Sequence, residues 1–267
     1  MESKLVKFLF IIFLTISVNE SLAVEETFNC DFYTGFYGYS CTLTNSSFGN
    51  EGDTIVSTGN HLVGKSNSDV KCVSCNEKSN CNFTVFPTPI YNQFPNVEAL
   101  QLTNVGLKEL SENSLGNCGR ITTLQLYDNK IEILGAGTFK NCHNLKSLII
   151  LSNRISDVHK DAFINLVDLT DLNLYDNYIT IIDPETFQHV PNLTSLFLSG
   201  NLIRNFDVDT FAPLTKLKTM DIGVNRLSIL PSQLFRTNIH LKTLSFLGNQ
   251  VNAIERNTFD NMEDMKK

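Results

Sequence analysis

The chain has 267 residues, of which 42% are hydrophobic and 18% charged, a balance too apolar for intrinsic disorder and a length sufficient for one large domain or two small ones. A formal net charge of −7 argues against a nucleic-acid binder, because neutralising phosphates takes a basic face. Seven cysteines, 14 glycines and no tryptophan exclude collagen-like and knottin-like chains.

At the amino end Lys4 and Lys7 precede an apolar run from Phe8 to Val18. That run is short for a bilayer-spanning helix, which needs ~20 apolar residues, and suits the apolar core of a secretory signal. Ser21-Leu22-Ala23 supplies small residues for cleavage after Ala23, so residues 1–23 are predicted to be a signal peptide and the product secreted and extracellular. No later stretch is apolar enough to span a membrane. Phe28 to Thr44 alternates around Gly35 and Gly38 and reads as a hairpin closed by Cys30 and Cys41. Residues 24–66 are taken as an amino-terminal cap.

From residue 97 the sequence repeats. Asn129, Asn153, Asn177, Asn201, Asn225 and Asn249 fall 24 residues apart, and Phe139, Phe163, Phe187, Phe211, Phe235 and Phe259 follow each by ten. The shared frame is LxxLxLxxNxIxxIxxxxF, with units starting at Val97, Ile121, Leu145, Leu169, Leu193, Leu217 and Leu241, so seven repeats span 97–264. Residues 265–267 begin a further unit at Met265, and the carboxyl end reads as uncapped. Within each unit the LxL pair, such as Leu172 and Leu174, alternates with polar residues as a strand with one buried face does. Repetition stacks these strands in parallel, with ~15–18 residues returning the chain over the convex side. Each asparagine must then turn inward, where its amide satisfies backbone groups of neighbouring coils.

This frame resembles the extracellular, 24-residue typical class of leucine-rich repeat, with a degenerate first unit in which Val105 and Leu115 replace Asn and Phe. The resemblance implies an α/β repeat solenoid: a leucine-rich repeat horseshoe with a concave parallel β-sheet and a disulfide-bonded amino-terminal β cap. Together with Cys30 to Cys41, His61-Leu62-Val63-Gly64 and Phe94-Pro95-Asn96, the repeats are most similar to secreted leucine-rich proteins of dipteran insects, including immune members. Counting the frame backward makes residues 67–96 a degenerate first coil. Val70-Lys71-Cys72 is its expected strand, and six inserted residues lie within Cys75–Cys81, closed by a Cys75–Cys81 bond.

Cys72-x-x-Cys75 has a spacing used by redox dithiols and zinc sites, but zinc wants four ligands and the exported context favours disulfides. Cys118 and Cys142 share a frame position with Leu166, Val190, Leu214 and Met262, and are read as buried thiols acting as small hydrophobes, a bond between adjacent coils being the alternative. Cys72 is left as an odd thiol, available to another chain. His143, His159, His189 and His240 scatter over the return segments and no nucleophile motif accompanies them, so no enzyme, catalytic residue, metal or cofactor is expected. Asn45, Asn82 and Asn192 lie in glycosylation sequons.

The residues between and after the LxL pairs face outward from the concave sheet. Ile149, Leu151 and Phe197, with Tyr127, Tyr175 and Tyr178, are expected to form an apolar and aromatic patch. Its rim includes Arg154, Asp171, Lys130, Arg226, Asp128 and Asp176, a composition suited to a protein-binding hot spot. The expected function is therefore recognition of a protein ligand or receptor through the concave face, in innate immunity or at cell surfaces. The alternative is a structural or adhesive matrix protein that associates with itself through its last repeat or an unpaired cysteine.

Overall fold

The computed structural model describes residues 25–44, 46–48 and 54–262; the signal segment, Asn45 and the start of the further repeat at Met265 lie outside them. Strands β1 (Glu25–Gly35) and β2 (Gly38–Thr44) form an antiparallel hairpin in which Gly35 faces Gly38. The bond between Cys30 and Cys41 closes it. After β3 (Ser47–Phe48), β4 (Thr54–Thr58) lies parallel to β1. Next come β5 (Cys72–Cys75), β6 (Asn82–Phe83), which pairs with β3, the single-turn helix α1 (Ile90–Gln93) and β7 (Ala99–Leu102).

Each later coil then contributes one concave strand, and some add a two-residue strand on the return. In chain order these are β8 (Thr123–Gln125), β9 (Ile133–Leu134), β10 (Ser147–Ile149), β11 (Asp157–Val158) and β12 (Asp171–Asn173). There follow β13 (Ser195–Phe197), β14 (Thr219–Asp221), β15 (Ile229–Leu230), β16 (Thr243–Ser245) and β17 (Ala253–Ile254).

The main sheet has eleven strands in the order β16-β14-β13-β12-β10-β8-β7-β5-β2-β1-β4. From β5 to β16 every neighbour is parallel, and from β7 onward each residue pairs with the one 24 positions away, as in Thr123, Ser147, Asp171, Ser195, Thr219 and Thr243. The fold is thus the expected solenoid with a concave parallel sheet and a disulfide-bonded β cap. Its helical content is small, with return segments built mostly of turns.

The frame explains the core. Leu172 and Leu174 are fully buried, and so are their counterparts in coils on either side. Complete burial of such a side chain contributes ~1.5–3 kcal/mol. On the return side Phe187, Phe211, Phe235 and Phe259 stack on one another with centroids 5.9–6.2 Å apart. Between these layers the asparagines close the polar account. Asn177 Oδ1 accepts from the Ile155 N–H at 3.0 Å, and its Nδ2 donates to the carbonyls of Ile150, Leu174 and Tyr175 at 3.0–3.2 Å. Asn153, Asn201, Asn225 and Asn249 repeat that pattern one coil at a time. In the degenerate unit, where no asparagine stands at Val105, Asn129 takes three successive N–H groups of Val105, Gly106 and Leu107.

Three expectations need correction. The first coil's inward pair is Val73 and Cys75, which align with Leu100 and Leu102, rather than Val70 and Cys72. The strand lies three residues further along because Val70 fills the first apolar position of the unit; the bond between Cys75 and Cys81 then encloses a shorter excess than six residues. Cys118 and Cys142 are bonded to each other, with Cα atoms 4.7 Å apart. Equivalent positions of adjacent coils are stacked at about one strand spacing, which is within disulfide reach. Finally, Cys72 is a free thiol but a buried one, set between Ser40 and Ala99 in the sheet. Burial pushes its pKa up to about 11 against a weaker opposing hydrogen bond to Ser40. It is closed to another chain.

Candidate functional site

Within each coil strand the middle residue points inward and its two neighbours point out, so three columns of side chains cross the concave face. The first runs through Thr123, Ser147, Asp171, Ser195 and Thr219, the second through Gln125, Ile149, Asn173, Phe197 and Asp221. Two residues on, Tyr127, Leu151, Tyr175 and Ser199 continue as a third, tied by bonds from Asp128 N–H to Leu151 O (3.1 Å), Ser152 N–H to Tyr175 O (2.9 Å) and Asp176 N–H to Ser199 O (3.0 Å).

Tyr127, Leu151 and Tyr175 therefore stand on consecutive coils, about 4.8 Å apart from one to the next. Ile149 and Phe197 lie beside them with Asn173 between, at about twice that spacing. Tyr175 is 44% exposed, and Ile149, Leu151, Phe197 and Tyr127 are half-buried by their neighbours. A Cβ on Gly200 would approach the Tyr175 ring to 3.3 Å, so the missing side chain lets the ring lie over the next coil.

Polar groups around this row are held rather than loose. Asn173 Oδ1 accepts from the Tyr175 N–H at 2.9 Å, and Asp176 accepts from Ser152 Oγ at 3.0 Å. Asp221 accepts from Ser199 Oγ and from the Gly223 N–H, both at 2.9 Å. Asp171, in the first column, accepts from its neighbour Thr170 at 2.7 Å. Tyr178 and Arg154, by contrast, come after the buried asparagines and stand on the rim, one residue beyond Asn177 and Asn153; both are exposed. The structure brings together five of the expected aromatic and apolar residues and sets Tyr178 and Arg154 to one side.

Two exposed apolar residues extend the surface beyond the expected patch: Leu247, which frame counting puts in the same column as Tyr127, Leu151 and Tyr175, and Val224, which it does not pick out. Val224 and Leu247 are 63% and 79% exposed, and the Val224 N–H donates to Leu247 O. Val224 has a φ of +46°, in a column whose other members are Asn104, Asp128, Ser152, Asp176, Gly200 and Gly248. The signal for it was present, since that column is otherwise made of residue types that tolerate the left-handed region.

On the return side, His159 and His189 flank Asp161, with His189 Nε2 at 3.3 Å from its Oδ1. His143 and His240 are elsewhere on the return segments, and no group of His, Cys, Asp and Glu able to hold a metal occurs among the described residues. Of the sequon asparagines, Asn82 is exposed on β6. Asn192 is half-buried, donating to Val167 O at 2.8 Å and accepting from Lys216 Nζ at 2.6 Å.

Coils of this length and register, with the asparagine ladder inside, define a leucine-rich repeat protein. The leucine rich repeat family profile matches residues 95–155, 143–203 and 191–236, more than half of the chain, and the chain belongs to that family. Over 83 residues it is 34% identical to leucine-rich repeat-containing G-protein coupled receptor 5 of Rattus norvegicus, a match covering 31% of this chain and 9% of the receptor. Among solved structures it resembles the TLR13–ssRNA13 complex, with a TM-score of 0.67, 25% identity and coverage of 74% of this chain and 28% of that one. The LRIM1/APL1C complex gives a TM-score of 0.67 at 20% identity, covering 85% and 40%. The Toll–Spatzle complex, described as a hub in Drosophila development and innate immunity, gives 0.60 at 20%, covering 73% and 31%. The chain thus spans under half the length of each. Among the described residues no helix is long and apolar enough to cross a membrane.

Proposed function

We propose that this chain is an extracellular recognition module that binds a protein ligand or receptor through its concave face, in innate immunity or cell-surface recognition. The observation that carries the reading is the unbroken row Tyr127, Leu151, Tyr175 with Ile149 and Phe197 beside it, partly open to solvent on a sheet whose strands are fixed in register. Large amphipathic rings on a rigid backbone lose little conformational entropy when they bind, which is why such residues dominate interfaces. Asp171, Arg154 and Tyr178 form the charged and polar margin of the surface. Three disulfides fit an oxidising, extracellular compartment. Toll is solved in complex with Spatzle, and the relative from Rattus norvegicus is a receptor. The net charge of −7 speaks against nucleic acid as the ligand here. Glycans on Asn45, Asn82 and Asn192 are part of the same reading.

Capture of secreted proteins on immobilised chain, compared between variants, tests it. Phe197→Ser and Tyr175→Ala should each weaken capture of the same partner by ~2–4 kcal/mol, the contribution of a central aromatic anchor. Neither side chain belongs to the buried core, so melting should hardly change. Lys160→Glu on the return side breaks only surface pairs with Glu185 and Asp161 and should capture normally. Retention by the patch variants together with loss in Lys160→Glu would move the binding surface to the convex side.

A further inference from the structure

A cleft of about 840 Å³ opens on the flank of the stack, where the chain descends into β7, β8 and β10. It is separate from the aromatic row and spans three coils. A missing side chain helps to shape it. Pro95, Gly119 and His143 occupy the same frame position, which later units fill with Val167, Pro191, Thr215 and Ile239. Gly119 does not have the left-handed backbone that would demand a glycine, yet a Cβ there would lie 2.8 Å from His143 Cε1. The glycine is what leaves the imidazole room to lie in the cleft.

The chemistry of the lining is one-sided. Arg120 is exposed, and neither its guanidinium nor the His143 ring has a hydrogen-bond or ion-pair partner among the described residues. The Tyr91 hydroxyl is buried and has no hydrogen-bond partner. No Asp or Glu lines the cleft, although acidic residues outnumber basic ones 28 to 21 in the chain. A buried hydroxyl donor without an acceptor, beside an exposed guanidinium and an exposed imidazole in a cavity of the size of small-ligand sites, suits an anion. A planar guanidinium fork matches a carboxylate through two parallel bonds. Pro89 and Pro95 give the cleft apolar wall for the body that bears it. The bond between Cys118 and Cys142, next in sequence to Gly119 and His143, ties two of the three coils together and holds the cleft open before a ligand arrives.

We propose that this cleft binds a carboxylate: Arg120 takes the group bidentately, His143 and the Tyr91 hydroxyl donate to it, and the prolines contact the carbon frame behind it. The group can come from a free organic acid or from an acidic peptide segment. Backbone amide spectra of the folded chain, titrated with sodium benzoate, a hexaglutamate peptide and sodium sulfate at matched ionic strength, test this. Benzoate or hexaglutamate should shift the amides of Gly119, Arg120 and His143 saturably. A response to benzoate alone identifies a small acid as the source, and one to hexaglutamate alone identifies a peptide. Arg120→Gln should weaken binding at least tenfold, Tyr91→Phe several-fold, and Gly119→Val should remove it by driving the His143 ring from its place, while Phe197→Ser should bind as the parent does. Arg120→Gln alters only an exposed side chain and keeps the test valid if Gly119→Val does not fold. Absence of a response to either carboxylate, unchanged affinity in Arg120→Gln, or equal affinity for sulfate would each overturn the assignment.

Discussion

Val224 is a β-branched residue held at φ +46°, where its column otherwise uses Asn, Asp, Ser and Gly. Such a conformation stores ~1–3 kcal/mol of strain, and it persists here because the backbone around it is fixed by neighbouring coils. Val224→Asn should therefore raise stability by about 1 kcal/mol, read as a higher urea midpoint with an unchanged slope. Cys72 makes a second test at this scale. Its thiol ionises near pH 9 when unfolded and near pH 11 in the fold, so the folded state holds a proton that the unfolded chain has lost between those values. The contribution of this thiol should be fully present below pH 9 and fall as pH rises toward 11, and Cys72→Ala should lessen the decline, leaving the part that begins near pH 10 from buried Tyr91, whose pKa burial also raises. Residues on a regular face could be assigned by counting alone, as the asparagine ladder shows. Asn238 could not: it stands in an otherwise apolar column, fully buried, donating to Phe211 O and Leu214 O. A single departure from a frame carries no periodic signal.

The coil is the element of this fold, and what was legible depended on how closely each coil keeps to 24 residues. Strands β8 to β16 could be placed because their register repeats without slippage. Strand β5 could not, since the excess around Cys75 and Cys81 leaves the backward count free to slide by three. The same limit applied to the site. Tyr127, Leu151 and Tyr175 form a row because they keep the outward alternation past the strand, whereas Tyr178 and Arg154 follow the inward turn at an asparagine, beyond which alternation no longer predicts a face. Spacing likewise put Cys118 and Cys142 on adjacent coils without giving the direction of their sulfurs. Their bond closes a loop of about 24 residues, for which chain entropy predicts ~3 kcal/mol. A Cys118→Ala/Cys142→Ala double variant should lose about that much in non-reducing denaturation, with the loss concentrated in the amino-terminal coils.

The whole molecule is a line of contacts between neighbours, so damage at its centre should act differently from damage at an end. Asn177 has intact units on both sides and ties its own coil to the one before it, accepting from the Ile155 N–H and donating to Ile150 O and Leu174 O. Asn177→Ala should cost ~1–3 kcal/mol for each group left unpaired and split one cooperative melting transition into two, as calorimetry can resolve. A single transition at the parent temperature would show that the asparagines do not hold the coils together. The constant offset of the strands also governs how such a molecule can change length. Duplicating or deleting 24 residues anywhere between β7 and β16 returns every side chain to an equivalent place and alters the stack by about 4.8 Å, one strand spacing. A change of 23 or 25 has to be absorbed in a return segment, as the three-residue excess between β5 and β7 is, or it turns the leucines of the next strand toward water. Descent with modification can therefore lengthen or shorten this surface only in whole coils, and each added coil would arrive with three new outward positions on which selection could act.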